Sequence, residues 1–532
     1  MNKFDVIIVG CGPVGAIIAN LLGSKGLDVC IIDKEVSIYN KPRAIVLDWE
    51  AMRALQYCNV AHKLKSSIIP HTGTDYLGVE NELIKLFDPQ PPPYALGWPS
   101  TIMFVQPILE KLLRQSFAKK KNVKFFSGFE VVDLHQDKTG VKVEIKSVNN
   151  LKKTSLESNY LIGCDGANST VRSRINISME DHKFDESWIV VDAHLIKKTK
   201  LPKKTTQYCW PSRPATFVVG PGKLRRWEIK ILPNEKRSKF NSEENVLEVL
   251  KNYVDLKALN IWRSSTYHHK VVVAKQWQKG KVFLAGDAAH QTPPFLGQGL
   301  CTGIRDAFNL SWKIIHLFKY NLRVSALNSY QQERKPHATK VIKHAKEFGL
   351  IIGEMNIEKA KLRDKKLRAQ LINGKMETTR QKFIPDLGSG VLYKKNSLFN
   401  HLVGGLFVQP MVKNLKSKET LLDDILPMKF LYVTSDFNEQ KWMDQFHNEW
   451  SKIGGLRVNI KKASHKNNNN IHRSIINLEE TDGFFSKWKT ENNVVAVIVR
   501  PDRYIFGSTT SNVTLNELID DLKIRINLEN TI

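Results

Sequence analysis

The sequence contains no Cys-x-x-Cys pair, and its six cysteines are scattered between Cys11 and Cys301. This spacing excludes a zinc site and a disulfide framework, so we predict no metal and a reducing compartment. Acidic residues are also scarce, since 53 Asp and Glu stand against 80 Lys and Arg, a net charge of +27. A basic balance suits phosphates, anionic substrates or a membrane surface, but it does not define a fold. The 532 residues, 42% of them apolar, predict about two to four packed domains.

Long apolar runs are also rare. One run of eighteen uncharged residues, 6–23, is long enough to suggest a membrane span, but it is interrupted by glycines and Asn20. Asp5 precedes the run where a signal peptide prefers a basic residue, and no clean cleavage site follows. We interpret it as a buried strand (Phe4 to Val9), a glycine turn and a buried helix (about Val14 to Ser24). We therefore expect a soluble, cytoplasmic enzyme with no membrane segment.

The glycine turn of this run has the pattern Gly-x-Gly-x-x-Gly, directly after the strand and opening the helix. The glycines allow a tight turn, a close approach of pyrophosphate to the backbone, and close packing of helix on strand. An acidic residue after the second strand (Val29 to Ile32) is placed to accept hydrogen bonds from a ribose. The pattern predicts dinucleotide binding but does not separate FAD from NAD. The predicted contacts are Gly10, Gly12, Pro13, Val14, Gly15, Asp33 and Lys34.

Two further strand-to-turn motifs lie downstream, at residues 160–172 and 282–299. The strand of the second motif ends in a Gly286-Asp287 turn, and Asp287 is suited to accept a hydrogen bond from a ribityl chain. Glycines near residue 300 free backbone N–H groups at a helix start, which would stabilise an anionic reduced isoalloxazine. Both motifs therefore favour a flavin. The candidate contacts in them are Asp165, Gly166, Gly286, Asp287, Pro294, Gly297, Gln298, Gly299 and Leu300.

Together and in this order, the three motifs resemble the group A FAD-dependent aromatic hydroxylases of the p-hydroxybenzoate hydroxylase type. The segments at 41–50, 225–228 and 299–306 resemble the 3-(3-hydroxyphenyl)propionate hydroxylase branch, where Cys is expected at Cys301. The resemblance covers about residues 1–440 closely and the remainder more weakly. It implies that Arg43 and Gln106 contact FAD, and that Asp165 and Arg172 help bind FAD and the pyridine nucleotide. A surface salt bridge for Arg172 and a helix cap for Gln106 are the alternatives.

The resemblance also implies the reaction: NAD(P)H- and O₂-dependent ortho-hydroxylation of a phenol through a C4a-hydroperoxyflavin. 3-(3-Hydroxyphenyl)propionate or a 3-hydroxycinnamate-like acid is the expected substrate. No second Gly-x-Gly-x-x-Gly follows a strand, so we expect NAD(P)H to visit an open groove. Candidates for phenol deprotonation are His290, Tyr267 and His268, each of which could instead be structural. Candidates for substrate contact are Arg213, with a solvated surface arginine as the alternative, and Arg226, with an exposed strand face as the alternative.

We predict an α/β fold in which a discontinuous Rossmann-like FAD-binding domain comprises residues 1–72, 104–183 and 272–350. Residues 73–103 and 184–271 should form a mixed β-sheet substrate domain, with strands at 188–195, 215–219 and 226–232. Residues 305–347 should form a long helix with a helical partner, and 351–426 a helical linker region with a solvated helix at 354–380. Residues 427–532 resemble the thioredoxin-like tail of related hydroxylases, with a polar loop at Asn467 to Asn470. This tail lacks cysteine and would serve packing or a homodimer contact.

Three other functions compete with this interpretation. Halogenation calls for a Trp-x-Trp-x-Ile-Pro segment, which the sequence lacks. Hydroxylation or epoxidation of another phenol or of a polyketide stays open, because the same flavin chemistry serves all of these reactions. The third alternative is a non-enzymatic protein that uses its basic charge to bind nucleic acid or an anionic membrane. That charge is spread along a chain carrying three flavin motifs, so we expect neither partner.

Overall fold

The computed structural model describes residues 3–320, 322–394, 401–413, 418–435, 447–462, 475–509 and 513–526. The predicted loop at Asn467 to Asn470 lies outside these ranges. The strands are β1 (Phe4–Val9), β2 (Val29–Asp33), β3 (Val46–Asp48), β4 (Ile69–Pro70), β5 (Thr74–Leu77), β6 (Leu83–Phe87), β7 (Thr101–Met103), β8 (Val123–Ser127), β9 (Phe129–Gln136), β10 (Val141–Ser147), β11 (Lys153–Gly163), β12 (Met179–Leu195), β13 (Thr205–Tyr208), β14 (Ala215–Val219), β15 (Leu224–Lys230), β16 (Leu259–Ala274), β17 (Gln278–Lys279), β18 (Val282–Leu284), β19 (His290–Gln291), β20 (Met411–Lys413), β21 (Thr420–Leu421), β22 (Leu431–Thr434), β23 (Leu456–Lys462), β24 (Ile475–Glu480), β25 (Ala496–Val499) and β26 (Ile505–Thr509).

The α-helices connect these strands and cover the sheets. They are α1 (Pro13–Gly23), α2 (Trp49–Tyr57), α3 (Ala61–Leu64), α4 (Gln106–Phe117), α5 (Thr170–Arg174), α6 (Glu243–Leu250), α7 (Gly299–Tyr320), α8 (Ser329–Gly353), α9 (Ile357–Ile372), α10 (Leu422–Ile425), α11 (His447–Lys452), α12 (Phe484–Glu491) and α13 (Leu515–Ile526). Among the described residues, no helix combines the length and the apolar character that crossing a membrane requires.

The first sheet has the order β17-β18-β11-β1-β2-β8, with β9 and β10 attached through β11. Strands β18, β11, β1, β2 and β8 run parallel, so their carboxyl ends lie at one edge. The β1 segment is a nearly continuous buried apolar run, as a strand covered on both faces requires. All strands of this sheet fall inside the ranges predicted for the FAD-binding domain. The exact domain boundaries remain a prediction.

The second sheet is largely antiparallel and has the order β19-β16-β12-β15-β14-β13-β5-β6. Its strands alternate in character, because successive side chains of a strand point to opposite faces. One face carries Phe217, Trp227 and Ile229, which pack under α6 in an apolar core. The other face carries Thr216 and Arg226, which look into a cavity beside the first sheet. The mixed α/β architecture predicted from the sequence is confirmed.

The helices after the third glycine turn follow the prediction in outline. The segment predicted at 305–347 as a long helix with a helical partner forms α7, which ends at Tyr320, and α8, which starts at Ser329. The short 3₁₀ turn between them lets α8 pack back against α7. The solvated helix predicted at 354–380 is α9, which is shorter, and only Ala360 and Asp364 are buried in it.

The third sheet lies in the C-terminal part and has the order β21-β20-β24-β23-β22-β25-β26. Strands β22, β23 and β24 are parallel, while β25 and β26 run against β22. Helices α11, α12 and α13 follow β22, β24 and β26, which gives the strand and helix sequence of a thioredoxin-like fold. The predicted hairpin near residue 499 is formed by β25 and β26.

A buried charge network fixes this C-terminal sheet to α7 and α8. Arg500 is paired with Glu333 at 2.7 Å and with Asp502 at 2.7 Å, and all three are almost fully buried. Lys313 lies 2.6 Å from the same oxygen of Glu333. Burial opposes ionisation of Glu333, but Arg500 and Lys313 outweigh it and lower its pKa to about 2. The contact therefore depends on charges that satisfy one another away from water.

Removing one member of this network should destabilise the protein strongly. We expect Arg500→Met to lower the free energy of unfolding by about 3–5 kcal/mol, because Glu333 would stay buried without a main partner. Urea unfolding followed by circular dichroism measures the change. Lys487→Met is the control, since Lys487 is exposed and lies 3.8 Å from Glu491 in a surface pair worth about 0.5 kcal/mol or less. Equal losses in both variants would contradict the assignment.

Candidate functional site

A cavity of about 730 Å³ lies between the carboxyl edge of the first sheet and the polar face of the second. Its walls come from all three glycine motifs and from the second sheet. Fourteen of the residues predicted for binding or catalysis line it: Gly12, Pro13, Val14, Arg43, Gln106, Gly166, Arg226, Tyr267, His268, Asp287, Pro294, Gly297, Gly299 and Leu300.

The first turn packs so closely that side chains are excluded at two of its glycines. A Cβ on Gly10, where φ is +99°, would lie 2.3 Å from the carbonyl oxygen of Cys164. A Cβ on Gly15 would lie 2.0 Å from the carbonyl oxygen of Gly10. By contrast, a Cβ on Gly12 would meet no protein atom within 4 Å. Gly10 and Gly15 thus shape the turn, and Gly12 leaves its cavity side open.

Asp33 ends β2 beside this turn. Its carboxylate accepts hydrogen bonds from the backbone N–H of Cys11 at 2.5 Å and of Glu35 at 2.8 Å. These bonds hold the carboxylate against the glycine turn, where a ribose acceptor is expected. Lys34 is exposed, and neither Asp33 nor Lys34 belongs to the cavity wall.

The second motif is organised by Asp165, which caps α5. Its carboxylate accepts from the Ser169 hydroxyl at 2.5 Å and from the N–H of Val171 at 3.0 Å, and burial raises its pKa. Gly166 has φ +81° and open space around the position of a Cβ. Arg172 donates to the carbonyl oxygens of Ala167 and Ala288, both at 2.9 Å, and so joins the second motif to the third. Its side chain is not part of the cavity wall.

The third motif places Asp287 and the start of α7 at the cavity. Asp287 faces the cavity, and the surrounding protein raises the pKa of its carboxyl by desolvation. Gly286 has φ +62° and donates its N–H to Asp306 at 3.1 Å. Gln298 is buried, and its side chain accepts from Arg305 at 2.9 Å instead of facing the cavity. The N-terminus of α7, with its positive end of the helix dipole, opens onto the cavity at Gly299.

Two groups hold the segment around Arg43 in place. Gln106 accepts from the N–H of Ala44 at 2.7 Å and donates to Glu110 at 2.8 Å. Arg226 donates to the carbonyl oxygen of Arg43 at 2.9 Å and to that of Pro42 at 3.0 Å. Gln106 and Arg226 therefore position the Arg43 segment, while the exposed Arg43 guanidinium lies 5.1 Å from the ring of Tyr39.

The structure separates the three residues predicted for proton transfer. His290 is buried outside the cavity wall, and its Nε2 lies 2.7 Å from Asp306. His268 is exposed, and its ring nitrogens contact Asp185 and Ser187, each at 3.1 Å. Tyr267 is at the wall, where its hydroxyl accepts a hydrogen bond from Arg263. Of the three, Tyr267 has the geometry that best fits the prediction.

The two arginines predicted for substrate binding are both engaged by carboxylates. Arg213 lies outside the cavity wall, paired with both oxygens of Glu235 at 2.8 Å. Arg226 lines the cavity but is bound to Asp192 at 2.7 Å. Burial also raises the pKa of the neighbouring Glu228. Both guanidinium groups therefore donate their hydrogen bonds to protein atoms and not to a substrate.

Sequence reasoning did not identify three polar residues of the wall. His71 accepts from the N–H of Gly73 through Nδ1 at 3.2 Å and contacts the Thr205 hydroxyl through Nε2 at 3.1 Å. His269 has a buried Nε2 without a hydrogen-bond partner, and Arg380 has a buried Nε in the same condition. Strand alternation could have placed His269 beside Tyr267, with which its ring is stacked at 6.1 Å. Arg380 lies in the segment predicted as a helical linker region and had no motif to mark it.

These residues fit FAD. A pyrophosphate needs open space and N–H donors, which the structure offers at Gly12, at Gly166 and at the helix N-terminus at Gly299. A ribose and a ribityl chain need acceptors, which the carboxylates of Asp33 and Asp287 can supply. The glycine at each open position leaves volume that no described protein atom fills.

Comparison with known proteins agrees with this site. The family described as "FAD binding domain" matches residues 3–345, and the family described as "HcaD C-terminal domain" matches residues 404–525. A 3-(3-hydroxy-phenyl)propionate/3-hydroxycinnamic acid hydroxylase of Burkholderia vietnamiensis is 31% identical, with 96% of this chain and 94% of the relative covered. A hydroxylase of the same name from Comamonas testosteroni is 28% identical, with 94% and 93% covered.

Solved structures show the same fold. The flavin-dependent monooxygenase PieE, in complex with FAD and substrate, has a TM-score of 0.77 at 17% identity, with 99% of both chains covered. A ternary complex of aklavinone-11 hydroxylase with FAD and aklavinone has a TM-score of 0.75 at 18% identity, again with 99% of both chains covered.

Fold and site together define an FAD-dependent monooxygenase. Because the FAD-binding match covers well over half of the chain and curated relatives align over nearly all of it, the chain belongs to the FAD-dependent aromatic hydroxylase family.

Substitution of Gly12 should remove FAD without harming the fold. We expect Gly12→Ala to leave the thermal stability of the apoprotein unchanged, since φ is −69° and the Cβ has free space. FAD affinity should fall at least tenfold, because the methyl group occupies the approach of the pyrophosphate. Titration of apoprotein with FAD, followed by flavin fluorescence, measures this.

Two further glycines serve as controls for that substitution. Gly388→Ala also adds a methyl group with no atom within 4 Å, but outside the cavity wall, so FAD affinity should not change. Gly10→Ala should destabilise the apoprotein itself, because its Cβ would overlap the backbone of Cys164. Unchanged FAD affinity in Gly12→Ala would refute the role given to Gly12.

The buried histidines of the cavity should make the protein sensitive to acid. Burial lowers the pKa of His71 from 6.5 to about 3, so the unfolded chain binds the proton first as the pH falls. The free energy of unfolding should therefore decrease from pH 6.5 towards pH 3. In His71→Gln this decrease should be shallower. Urea unfolding at several pH values tests it, with the exposed His135→Gln as a control that should keep the wild-type slope.

Proposed function

We propose that the protein uses NAD(P)H and O₂ to hydroxylate a phenolic acid at the carbon ortho to its hydroxyl, with 3-(3-hydroxyphenyl)propionate or a 3-hydroxycinnamate-like acid as substrate. The observation that carries this proposal is the single cavity that joins the FAD cradle to an aromatic chamber on the second sheet. Tyr76, Phe87 and Phe295 line this chamber and offer ring faces and edges to a phenol. The printed names of the full-length relatives support the same substrate class.

Bound FAD would supply the redox chemistry, and the protein would hold and orient the phenol. The chamber floor lies on the sheet whose opposite face packs under α6, so this side of the chamber is closed by an apolar core. Exclusion of water is needed because an open site would release hydrogen peroxide instead of transferring oxygen. Strands β12 and β16 pair in antiparallel fashion along this wall.

His269 is the side chain that best suits the phenol hydroxyl. Its side chain lines the cavity, and its ring is stacked with that of Tyr267 on the same strand face. Burial, with a further contribution from His268, lowers its pKa to about 4, so the imidazole is neutral at pH 7. A neutral imidazole nitrogen can accept the phenol O–H and so raise the nucleophilicity of the ring. Tyr267, held by Arg263, would fix the substrate oxygen from the adjacent position.

Reduction of FAD would use a transiently bound nicotinamide. The sequence has no second Gly-x-Gly-x-x-Gly after a strand, so we propose that NADH or NADPH binds at the open mouth of the cavity near Arg43. The thioredoxin-like part has no cysteine and would act by packing, and a homodimer contact through it stays a prediction. A cytoplasmic location also stays a prediction.

One assay tests the proposed reaction. NAD(P)H oxidation, oxygen uptake and catechol formation are measured with 3-(3-hydroxyphenyl)propionate, 3-hydroxycinnamate, simple phenols and a polycyclic phenol. We expect a phenolic acid to stimulate NAD(P)H oxidation and to yield one catechol per NAD(P)H. An oxidation rate that is indifferent to every aromatic compound would contradict the proposal. Product from the polycyclic phenol alone would favour polyketide hydroxylation instead.

Substitution of His269 should affect chemistry more than binding. We expect His269→Gln to lower kcat for the phenolic acid by at least tenfold, while KM changes little. Raising the pH should restore part of the rate, because the phenol then ionises without help. His135→Gln, on an exposed strand, is the control and should retain wild-type kinetics. A loss of kcat that does not depend on pH would exclude proton acceptance by His269.

A further inference from the structure

Arg380 is a buried cation at the cavity that lacks a counter-ion. Only 9% of the residue is exposed, its Nη2 donates to the carbonyl oxygen of Leu296, and its Nε has no partner. Among the described residues, no carboxylate forms an ion pair with its guanidinium. Burial accordingly lowers the pKa of this guanidinium. A buried charge without a partner costs desolvation free energy, so an anion bound beside Arg380 would offset that cost.

The other buried arginines of the wall do not share this condition. Asp192 lies 2.7 Å from Arg226 and 3.6 Å from Arg263. Arg226 also donates to backbone oxygens of the Arg43 segment, and Arg263 donates to the carbonyl oxygen of Pro42 and to the Tyr267 hydroxyl, although its Nε has no partner in the described part of the chain. Their charges are therefore compensated before any substrate enters. Among the buried arginines of the wall that the structure describes, Arg380 is the one that forms no ion pair with a carboxylate.

The groups around Arg380 suit the carboxylate of an aromatic acid and the ring beside it. Arg380, His71 and Phe87 line both the large cavity and an adjacent cavity of about 60 Å³, so they form the wall between the two. Phe87 is packed edge-on against Tyr76 at 5.9 Å, which places ring surfaces beside the cation. The Thr205 hydroxyl, fixed by His71, adds a short polar group on the same wall. A phenyl ring joined to a carboxylate by a short chain would match both features.

We propose that Arg380 forms the carboxylate-binding subsite of the chamber and thereby makes the enzyme selective for aryl acids over neutral phenols. The proposal rests on the proposed function for the identity of the ring, and it names the residue that recognises the acid. It also replaces Arg213, whose guanidinium is taken up by Glu235 outside the wall.

Equilibrium binding tests the subsite without requiring turnover. 3-Phenylpropionate and its neutral analogue 3-phenyl-1-propanol are titrated into the FAD-loaded enzyme, and the change in the flavin absorption spectrum is followed. The wild-type enzyme should prefer the acid. Arg380→Met should weaken binding of the acid by roughly 10- to 100-fold, as expected for loss of a charge-assisted hydrogen bond, and should leave the alcohol unchanged.

Two variants provide controls. Arg380→Lys keeps the charge but loses the planar fork, so acid binding should weaken by less than in Arg380→Met. This variant also decides the matter should Arg380→Met fail to fold or to retain FAD. Arg368→Met removes an exposed arginine from α9 and should bind both compounds as the wild type does.

The outcomes separate this proposal from the proposed function. Equal loss of acid and alcohol binding in both Arg380 variants, or a wild-type enzyme that does not prefer the acid, would overturn the subsite. A shifted flavin reduction potential with unchanged acid preference would assign Arg380 to the flavin instead and would also overturn it. Selective acid binding together with NAD(P)H oxidation that no phenol stimulates would support the subsite while refuting the proposed reaction.

Discussion

The contact between Gly10 and the backbone of Cys164 is the constraint on which the site depends. It closes the first glycine turn against the end of β11, and no side chain larger than hydrogen fits there. Because β1 lies between β2 and β11, this contact brings the turns after β1 and β11 to one edge of the sheet. β18 adds the third turn beside them through its parallel pairing with β11. Three distant segments thus become one cofactor cradle.

A second constraint joins this cradle to the substrate sheet. Asp192 on β12 lies between Arg226 on β15 and Arg263 on β16, and both arginines donate to the carbonyl oxygen of Pro42. The segment that carries Arg43 is therefore fixed to the sheet that forms the chamber wall. Charge compensation here is structural, which explains why these arginines are poorly suited to binding an anion. Arg380 differs from these two arginines because it is buried at the cavity without a paired carboxylate among the described residues.

The sequence was sufficient to predict where the three glycine turns lie in the fold, because a glycine turn after a buried strand leaves a local pattern in the sequence. Period-two alternation also indicated strands β12, β14 and β15. The chamber was harder, since its residues meet only through tertiary packing. His290 lies in a motif but is held by Asp306, whereas Arg380 lies in no motif and reaches the cavity from a segment far along the chain. Which arginine meets a carboxylate is decided by three-dimensional neighbours, and spacing carries no information about them.

The C-terminal sheet, although it lacks cysteine, is connected to the cofactor site through a chain of buried polar groups. Tyr504, just before β26, donates to Glu50 on α2, and Glu50 accepts from Arg305 at 2.5 Å. Arg305 in turn donates to Gln298 at 2.9 Å, directly before the first residue of α7. The helix terminus expected to face the flavin is therefore supported from the thioredoxin-like part. This chain of contacts packs the thioredoxin-like part against the start of α7, and it involves no cysteine.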